Sequence, residues 1–261
     1  MKRIVFIFAH PDDEFGCFES IRLATEARQR VQCYYLTDGG YGGQSTMVRK
    51  KESLRVLWRL GVDAENVFFV GVERAIPDGR LYESDNMMRA AGAVYAAVGK
   101  SQSVDAIYAP AWEGGHQDHD AAHVIACLLA DKLPSRPRVL QYSLYNGCYL
   151  KGGFFRVMAP LDSNGPTLDL PIRLHLKLKY LMFCLSYHSQ WKTWLGLFPF
   201  VFIKLSFGGK YHLQLAAPPR AFGRPHSGAL LYERRRTARF EDVSAGVSRF
   251  VRSWHCDVVN R

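Results

Sequence analysis

Two short stretches hold most of the chemistry this chain could carry. Ala9-His10-Pro11-Asp12-Asp13-Glu14 puts one imidazole and three carboxylates within five residues. Gly114-Gly115-His116-Gln117-Asp118-His119-Asp120, with His123 one helical turn on, puts three histidines and two aspartates within eight. Carboxylates packed so tightly repel one another unless a cation or hydrogen-bond donors offset the repulsion. A divalent metal held by His10 and one of the aspartates would do so, with Pro11 stiffening the turn. Two ligands from one stretch and one from the other would make three and leave a coordination position open, the count of a catalytic rather than a structural zinc. The plainer alternative is helix capping, by Asp12 or Asp13 before one helix and by Asp118 or Asp120 before another. Capping leaves unexplained why histidines accompany the acids at both places.

The elements that must position these stretches follow from the hydrophobic pattern. Ile4–Phe8 is a continuous β-branched and aromatic run, as in a strand buried on both faces of a parallel sheet. Helical periodicity over Phe15–Arg28, a strand at Val31–Leu36, and a helix over Thr46–Leu60 ending at Gly61 come next. Strands at Val67–Val70, Ala106–Ala109 and Val139–Leu144 alternate with helices through Ala90–Val98 and Ala121–Leu133. This order predicts an α/β fold, Rossmann-like, with a mostly parallel sheet and helices on both faces. In such sheets sites form at the carboxyl ends of the strands, and both chemical stretches directly follow strands. Beyond about Lys151 the pattern blurs. Leu174, Leu176, Leu178 and Tyr180 alternate as in a strand, yet Leu178–Trp191 reads equally well as a helix. Residues 151–261 are expected to complete the fold and cap the site, partly in irregular structure, over a catalytic metal-binding region of residues 1–150.

Charge divides the chain at the same place. The net formal charge is +10, but residues 1–150 carry 17 basic and 18 acidic side chains and residues 151–261 carry 17 and 6. A near-neutral first region therefore adjoins a second with all the excess, which points to an anionic partner. Hydrophobic content of 48% with 22% charged residues excludes a disordered chain. Six scattered cysteines without a C-x-x-C pair read as reduced thiols, and the six-residue apolar run after Lys2-Arg3 is too short for a secretory signal. Both favour a cytoplasmic protein. His188, Gln190, Lys192, Pro199 and Lys204 interrupt the apolar stretch Leu181–Leu205, which is therefore not a membrane span.

The paired stretches resemble the PIG-L/LmbE-like de-N-acetylase family: Ala-His-Pro-Asp-Asp-Glu after the first strand and His116-x-Asp118-His119 after a later one. Leu36-Thr37-Asp38-Gly39, Arg49-x-x-Glu52, Pro77-Asp78-Gly79 and Ser189-Gln190 agree with it, so the likeness spans about Ile4 to Gln190. The resemblance implies a hydrolase that removes the N-acetyl group of an amino-sugar conjugate. It implies His10, Asp13 and His119 as zinc ligands, with Asp12 as general base and His116, supported by Asp118, facing the reaction intermediate. Two nitrogens and a carboxylate would also suit Fe2+. A protonated His116 would stabilise an oxyanion, Glu14 would act from behind the ligands, and His123 would be a packed neighbour of His119. Arg49 and Trp112, with Tyr41, are the substrate-binding candidates, the aromatic rings stacking on sugar or else packing the fold.

Rival readings are another single-metal hydrolase or amidase on the same scaffold, and a nucleic-acid-binding protein using Arg234-Arg235-Arg236 and Arg239. The latter leaves both acidic-histidine stretches unused and lacks a recognisable nucleic-acid motif, so nucleic acid ranks last as a partner. The expected partner is a small-molecule or lipid-linked amino-sugar substrate. The apolar run Leu195–Ile203 within the basic region suits peripheral contact with an anionic membrane surface at the inner face, or else forms the core of the cap.

Overall fold

The apolar run at the start of the chain, Arg3–Phe8 (β1), is buried on both faces near the middle of a seven-stranded sheet. The computed structural model describes residues 2–40, 45–99, 103–152 and 154–259. After β1 come helix α1 (Phe18–Glu26), strand β2 (Arg30–Tyr35), helix α2 (Thr46–Arg59), strand β3 (Val67–Phe68) and the single turn α3 (Val70–Glu73). Helix α4 (Ser84–Val98), strand β4 (Ala106–Pro110), helix α5 (Gln117–Lys132) and strand β5 (Arg138–Tyr142) complete the alternation. Strand order is β3-β2-β1-β4-β5 with every pair parallel, as the alternating pattern predicts. The order reverses between β1 and β4, and the loops leaving those two strands part around a crevice at that switch point.

Residues beyond 150 extend the same sheet. Beyond the short ladder of β6 (Tyr145–Asn146) and β7 (Arg156–Val157), strand β8 (Thr167–Pro171) and strand β9 (Lys210–Leu215) add on antiparallel, β9 against β5 and β8 against β9. Helices α6 (Leu174–Cys184) and α7 (Trp191–Ile203) lie between them in sequence, and α8 (Leu231–Arg234) and α9 (Phe240–Val259) follow. The expected irregular structure is thus largely regular. At Leu174–Tyr180 the helical period prevails over the two-residue alternation, because Leu176, Tyr180, Phe183 and Cys184 are the buried positions. The strand expected over Val67–Val70 stops at Phe68, and the chain turns directly into α3.

Two hydrophobic layers sandwich the sheet. One joins Phe18, Val56, Tyr180 and Trp194 from α1, α2, α6 and α7. The other joins Val94, Ile125, Val247 and Phe250 from α4, α5 and α9. Helix α5 is buried from Gln117 to Ala130, all round its circumference, so its first turn is fixed by core packing rather than by helix propensity. Its entry is tight: a Cβ on Gly115 would lie 1.8 Å from the Tyr145 carbonyl oxygen. Gly115→Ala is therefore expected to displace the start of α5 and cost about 1–3 kcal/mol, read as a lower midpoint in urea unfolding.

Candidate metal centre and active site

The turn after β1 separates three adjacent carboxylates. Asp12 has φ of 110° and ψ of −15°, a left-handed conformation that strains a residue other than glycine by about 1–3 kcal/mol. Asp12 and Asp13 thereby face different partners. One oxygen of Asp13 accepts hydrogen bonds from the backbone N–H groups of Ala9 (2.9 Å) and His10 (2.8 Å). Its other oxygen lies 3.0 Å from His119 Nε2. Glu14, wholly buried, accepts from the Asp12 N–H and so holds the turn from behind.

Three donor atoms converge where this turn meets α5. His10 Nδ1 is 3.3 Å from His119 Nε2 and 3.7 Å from Asp13 Oδ2. Three ligands about 2.1 Å from a tetrahedral cation stand about 3.4 Å apart, close to the His10–His119 and Asp13–His119 separations. The remaining nitrogen of His10, Nε2, faces Asp118 at 3.1 Å and Asp78 at 3.2 Å. Carboxylates accept, so a proton sits on Nε2 and Nδ1 is the nitrogen a metal would use. Burial lowers the His10 pKa, but Asp78, Asp118 and Asp13 outweigh it and raise it well above its usual value, so a metal there would displace a proton. Burial works against an ionised Asp13, but His119 and His10 outweigh it and hold the carboxyl well below its ordinary range. One ring nitrogen of His116 joins those of His10 and His119 within a 4.8 Å group. His10, Asp13 and His119, the candidate donors expected from the sequence, thus lie together here, while the groups of three donors mutually within 4.8 Å are His10–His116–His119 and His10–Asp78–Asp118.

His116 sits at the N-cap of α5, where its Nδ1 accepts the Asp118 backbone N–H at 3.2 Å. The capping expected of Asp118 or Asp120 falls to this histidine instead. An accepting Nδ1 places the proton on Nε2. Burial first, and then the neighbouring His10 and His119, push the His116 pKa well below its usual value. A neutral N–H donor replaces the protonated imidazole expected from the sequence. The Asp118 carboxylate is not its support either: it accepts from His10, from Gly79 N–H (2.6 Å) and from Leu81 N–H (2.9 Å). It thus braces a candidate ligand and ties down the Pro77–Leu81 loop, touching His116 through its backbone.

These groups open on a cavity of about 380 Å³ whose lining includes His10, Asp12, Asp13, Asp78 and His116. Arg49 lines it too, with its guanidinium committed to structure. It donates to the carbonyls of Gly39 (2.6 Å) and Pro11 (2.8 Å) and pairs with Asp78 (3.1 Å) and Asp12 (3.3 Å). Gly39, at φ of +66°, lets this loop approach, since a Cβ there would sit 2.9 Å from Pro11 Cδ. Burial, reinforced by Asp13 and Glu14 against the pull of Arg49 and His10, raises the Asp12 pKa to about 8. A single turn of α2 thus explains the Arg49-x-x-Glu52 pattern: Arg49 clamps the catalytic turn, while Glu52 accepts from Ser189 N–H and Oγ–H at the entry to α7.

Trp112 does not reach the cavity, which corrects its expected role in substrate binding. It is buried, its indole N–H donates to the Gly223 carbonyl at 2.9 Å, and its ring packs toward His123. Hydrophobic burial beneath the loop outweighs its position in sequence at the functional edge. Tyr41 lies outside the described residues. His123 is a core residue as expected, bonded through Nδ1 to the Pro110 carbonyl and driven by burial to a pKa of about 4. Sequence reasoning passed over Asp78, although Pro77-Asp78-Gly79 marked its turn. It also missed Tyr145, Tyr232, Arg235 and Thr237, which wall the cavity. Nothing in their local pattern sets these apart from ordinary packing residues.

Residues 5–129 match the family model described as "PIG-L: GlcNAc-PI de-N-acetylase". No curated protein matches the chain. Among solved structures, a deacetylase triple mutant of the teicoplanin biosynthetic pathway aligns over 83% of this chain and 98% of its own, at 17% identity and a TM-score of 0.62. The N,N'-diacetylchitobiose deacetylase of Pyrococcus horikoshii aligns over 84% and 85%, at 17% identity and 0.57. A conserved protein of Thermus thermophilus aligns over 84% and 95%, at 20% identity and 0.57. At these identities the likeness establishes the fold: a mostly parallel sheet with helices around it.

Metal titration of chelator-stripped protein is expected to show about one high-affinity divalent cation per chain. His119→Ala should abolish that binding, and Asp118→Asn, which loosens His10, should weaken it roughly 10–100-fold. Unchanged affinity in His119→Ala would remove the donor set described above.

Proposed function

From the PIG-L-family domain that residues 5–129 form, we propose that this chain is a zinc-dependent N-deacetylase of N-acetylated amino-sugar conjugates. The observation that carries the reading is the meeting at one cavity of His10 and Asp13, with His119 in contact with both, the Asp12 carboxylate and the His116 imidazole. The printed names of two structural neighbours, a teicoplanin-pathway deacetylase and a diacetylchitobiose deacetylase, support the same reaction class. The six unpaired thiols suit a reducing, cytoplasmic setting.

A divalent cation held by His10, Asp13 and His119 would supply Lewis acidity toward the acyl oxygen and would make the attacking water easier to deprotonate. Asp12 takes a proton from that water as it adds to the acetamide carbon. Its raised pKa makes the ionised carboxylate a stronger base than an ordinary one. His116 donates from Nε2 to the oxygen that gains negative charge. Because His116 is held by the Asp118 backbone N–H, this donor needs no reorientation during the reaction. Asp12 then returns its proton to the departing nitrogen, the C–N bond breaks, and the second proton of the water passes from the acid to the amine, giving acetate and an ammonium group. Arg49 keeps the Asp12 carboxylate at the cavity wall through these transfers. Arg49 is thus a positioning residue.

Mass-spectrometric screening of acetamido-sugar conjugates should find loss of acetyl with metal-loaded protein and none with stripped protein. Asp12→Asn is expected to retain its metal and lose at least about 100-fold in kcat, and His116→Ala about 100- to 1,000-fold. Full turnover by Asp12→Asn would exclude the proposed base.

The pH profile follows from the same carboxylate. A base works only when ionised, so kcat/KM should fall as pH drops through the raised Asp12 pKa. That acid limb should lie above the ordinary carboxylate value of about 4 and at or below about 8, since a bound cation draws it down. A rate that is flat down to pH ~4 would contradict a raised pKa.

A further inference from the structure

From the surface of the α6–α7 hairpin, we propose that this part of the protein is a docking face for an anionic phospholipid bilayer. In α6 the residues Leu174, Leu178 and Met182, with Leu185 just beyond, recur at four- and three-residue spacing and stand exposed, Leu174 by 81%. In α7, Trp191, Leu195 and Phe202 repeat the pattern, Leu195 exposed by 72%. Such spacing places each set on one side of its helix. The opposite side of α6 carries Leu176, Tyr180 and Phe183 into the core. Phe207, in the turn after α7, is exposed by 82%. Large apolar side chains ranked along one side of each of two successive helices mark an interaction surface rather than the scatter found on any protein.

Charge identifies the occupant. No Asp or Glu occurs between Asp169 and Glu233, while Arg173, Lys177, Lys179, Lys192 and Lys204 lie along the hairpin. A second copy of this chain would bring mainly cations against cations, with Glu26, beside Arg173 and Lys179, an exception. An anionic lipid surface offers both phosphate groups for the cations and an apolar layer for the stripes. Among the described residues no helix is long and apolar enough to cross a membrane, so contact is at the interface.

The face is joined to the reaction site. Thr193 and Leu197, on α7, line the site cavity. They also line an adjoining cavity of about 360 Å³ with Phe155, Lys192, Gly196 and Arg235. One helix thus exposes apolar residues on its outer side and walls the reaction cavity on its inner side. Resting on the deacetylase reading, this geometry would set the cavity wall formed by α7 beside the bilayer surface.

Co-sedimentation of the full chain with phosphatidylcholine vesicles, with and without phosphatidylglycerol, tests the docking face without requiring turnover. Binding at low salt should be about tenfold stronger to the phosphatidylglycerol vesicles and should weaken with added salt. Leu178→Glu and Leu195→Glu should each reduce it by about tenfold or more, with thermal unfolding unchanged. If either variant melts early, Leu178→Ser, Leu195→Ser and Lys179→Glu carry the same comparison. Asp12→Asn should bind vesicles as the parent does, so failure of the catalytic reading and failure of the docking face are told apart. The proposal is overturned by no binding to phosphatidylglycerol vesicles at low salt, or by equal binding of parent and variants. A lipid-free dimer that the glutamate variants dissociate would assign the face to a second copy and equally overturn it.

Discussion

Asp13 has one oxygen fixed by two backbone N–H groups of its own turn and the other 3.0 Å from His119 Nε2. Most of the site depends on that division. Tying down one oxygen orients the second, and the second can lie beside an imidazole on α5 only because β1 and β4 are parallel neighbours whose loops leave the sheet together. The turn achieves this at the cost of strain at Asp12, whose left-handed backbone keeps its carboxylate away from Asp13. Buried carboxylates in sequence would otherwise repel one another or take up protons. Here one has its pKa lowered by two histidines, one has it raised by burial, and the third sits behind the turn.

The supports around the site share one design: each candidate group is held by something with little freedom to move. His10 is backed by Asp118 and Asp78, and Asp118 is itself fixed by two backbone N–H groups from the Gly79–Leu81 segment. His116 is fixed by the first turn of a fully buried helix. Glu113, buried and raised in pKa by that burial, accepts from Ser143, Asn146 and the N–H groups of Leu144 and Tyr145. It thereby fixes the loop that places Tyr145 beside His119. Pre-set groups of this kind avoid reorganisation when charge develops in a reaction.

Much of this was legible in the residues themselves. β-branched runs followed by histidine-acid stretches gave both the parallel sheet and the loops that carry the chemistry, because strand burial and strand ends leave local marks. The direction of Trp112 left no such mark: a tryptophan in a loop reads alike whether it stacks on a ligand or plugs the layer below. The protonation of His116 was equally hidden, since it follows from which atom caps α5. In residues 151–261 the two-residue alternation at Leu174–Tyr180 arises because α6 has apolar residues on both its buried and its exposed sides. That same two-sided character is what a helix between a core and an apolar partner requires. The charge excess, visible from the start, acquires meaning only once it is seen to coincide with those exposed stripes.

Anomalous diffraction at a zinc edge from crystals of zinc-loaded protein measures the central claim most directly. A single peak is predicted about 2.0–2.2 Å from His10 Nδ1, Asp13 Oδ1 and His119 Nε2, with His10 Nε2 still turned to Asp118 and Asp78. A peak instead between His10 Nε2, Asp78 and Asp118, whose donor atoms lie mutually within 4.8 Å, would show that the carboxylates assigned as braces are the ligands. It would thereby contradict the assignment from which the chemistry of Asp12 and His116 follows.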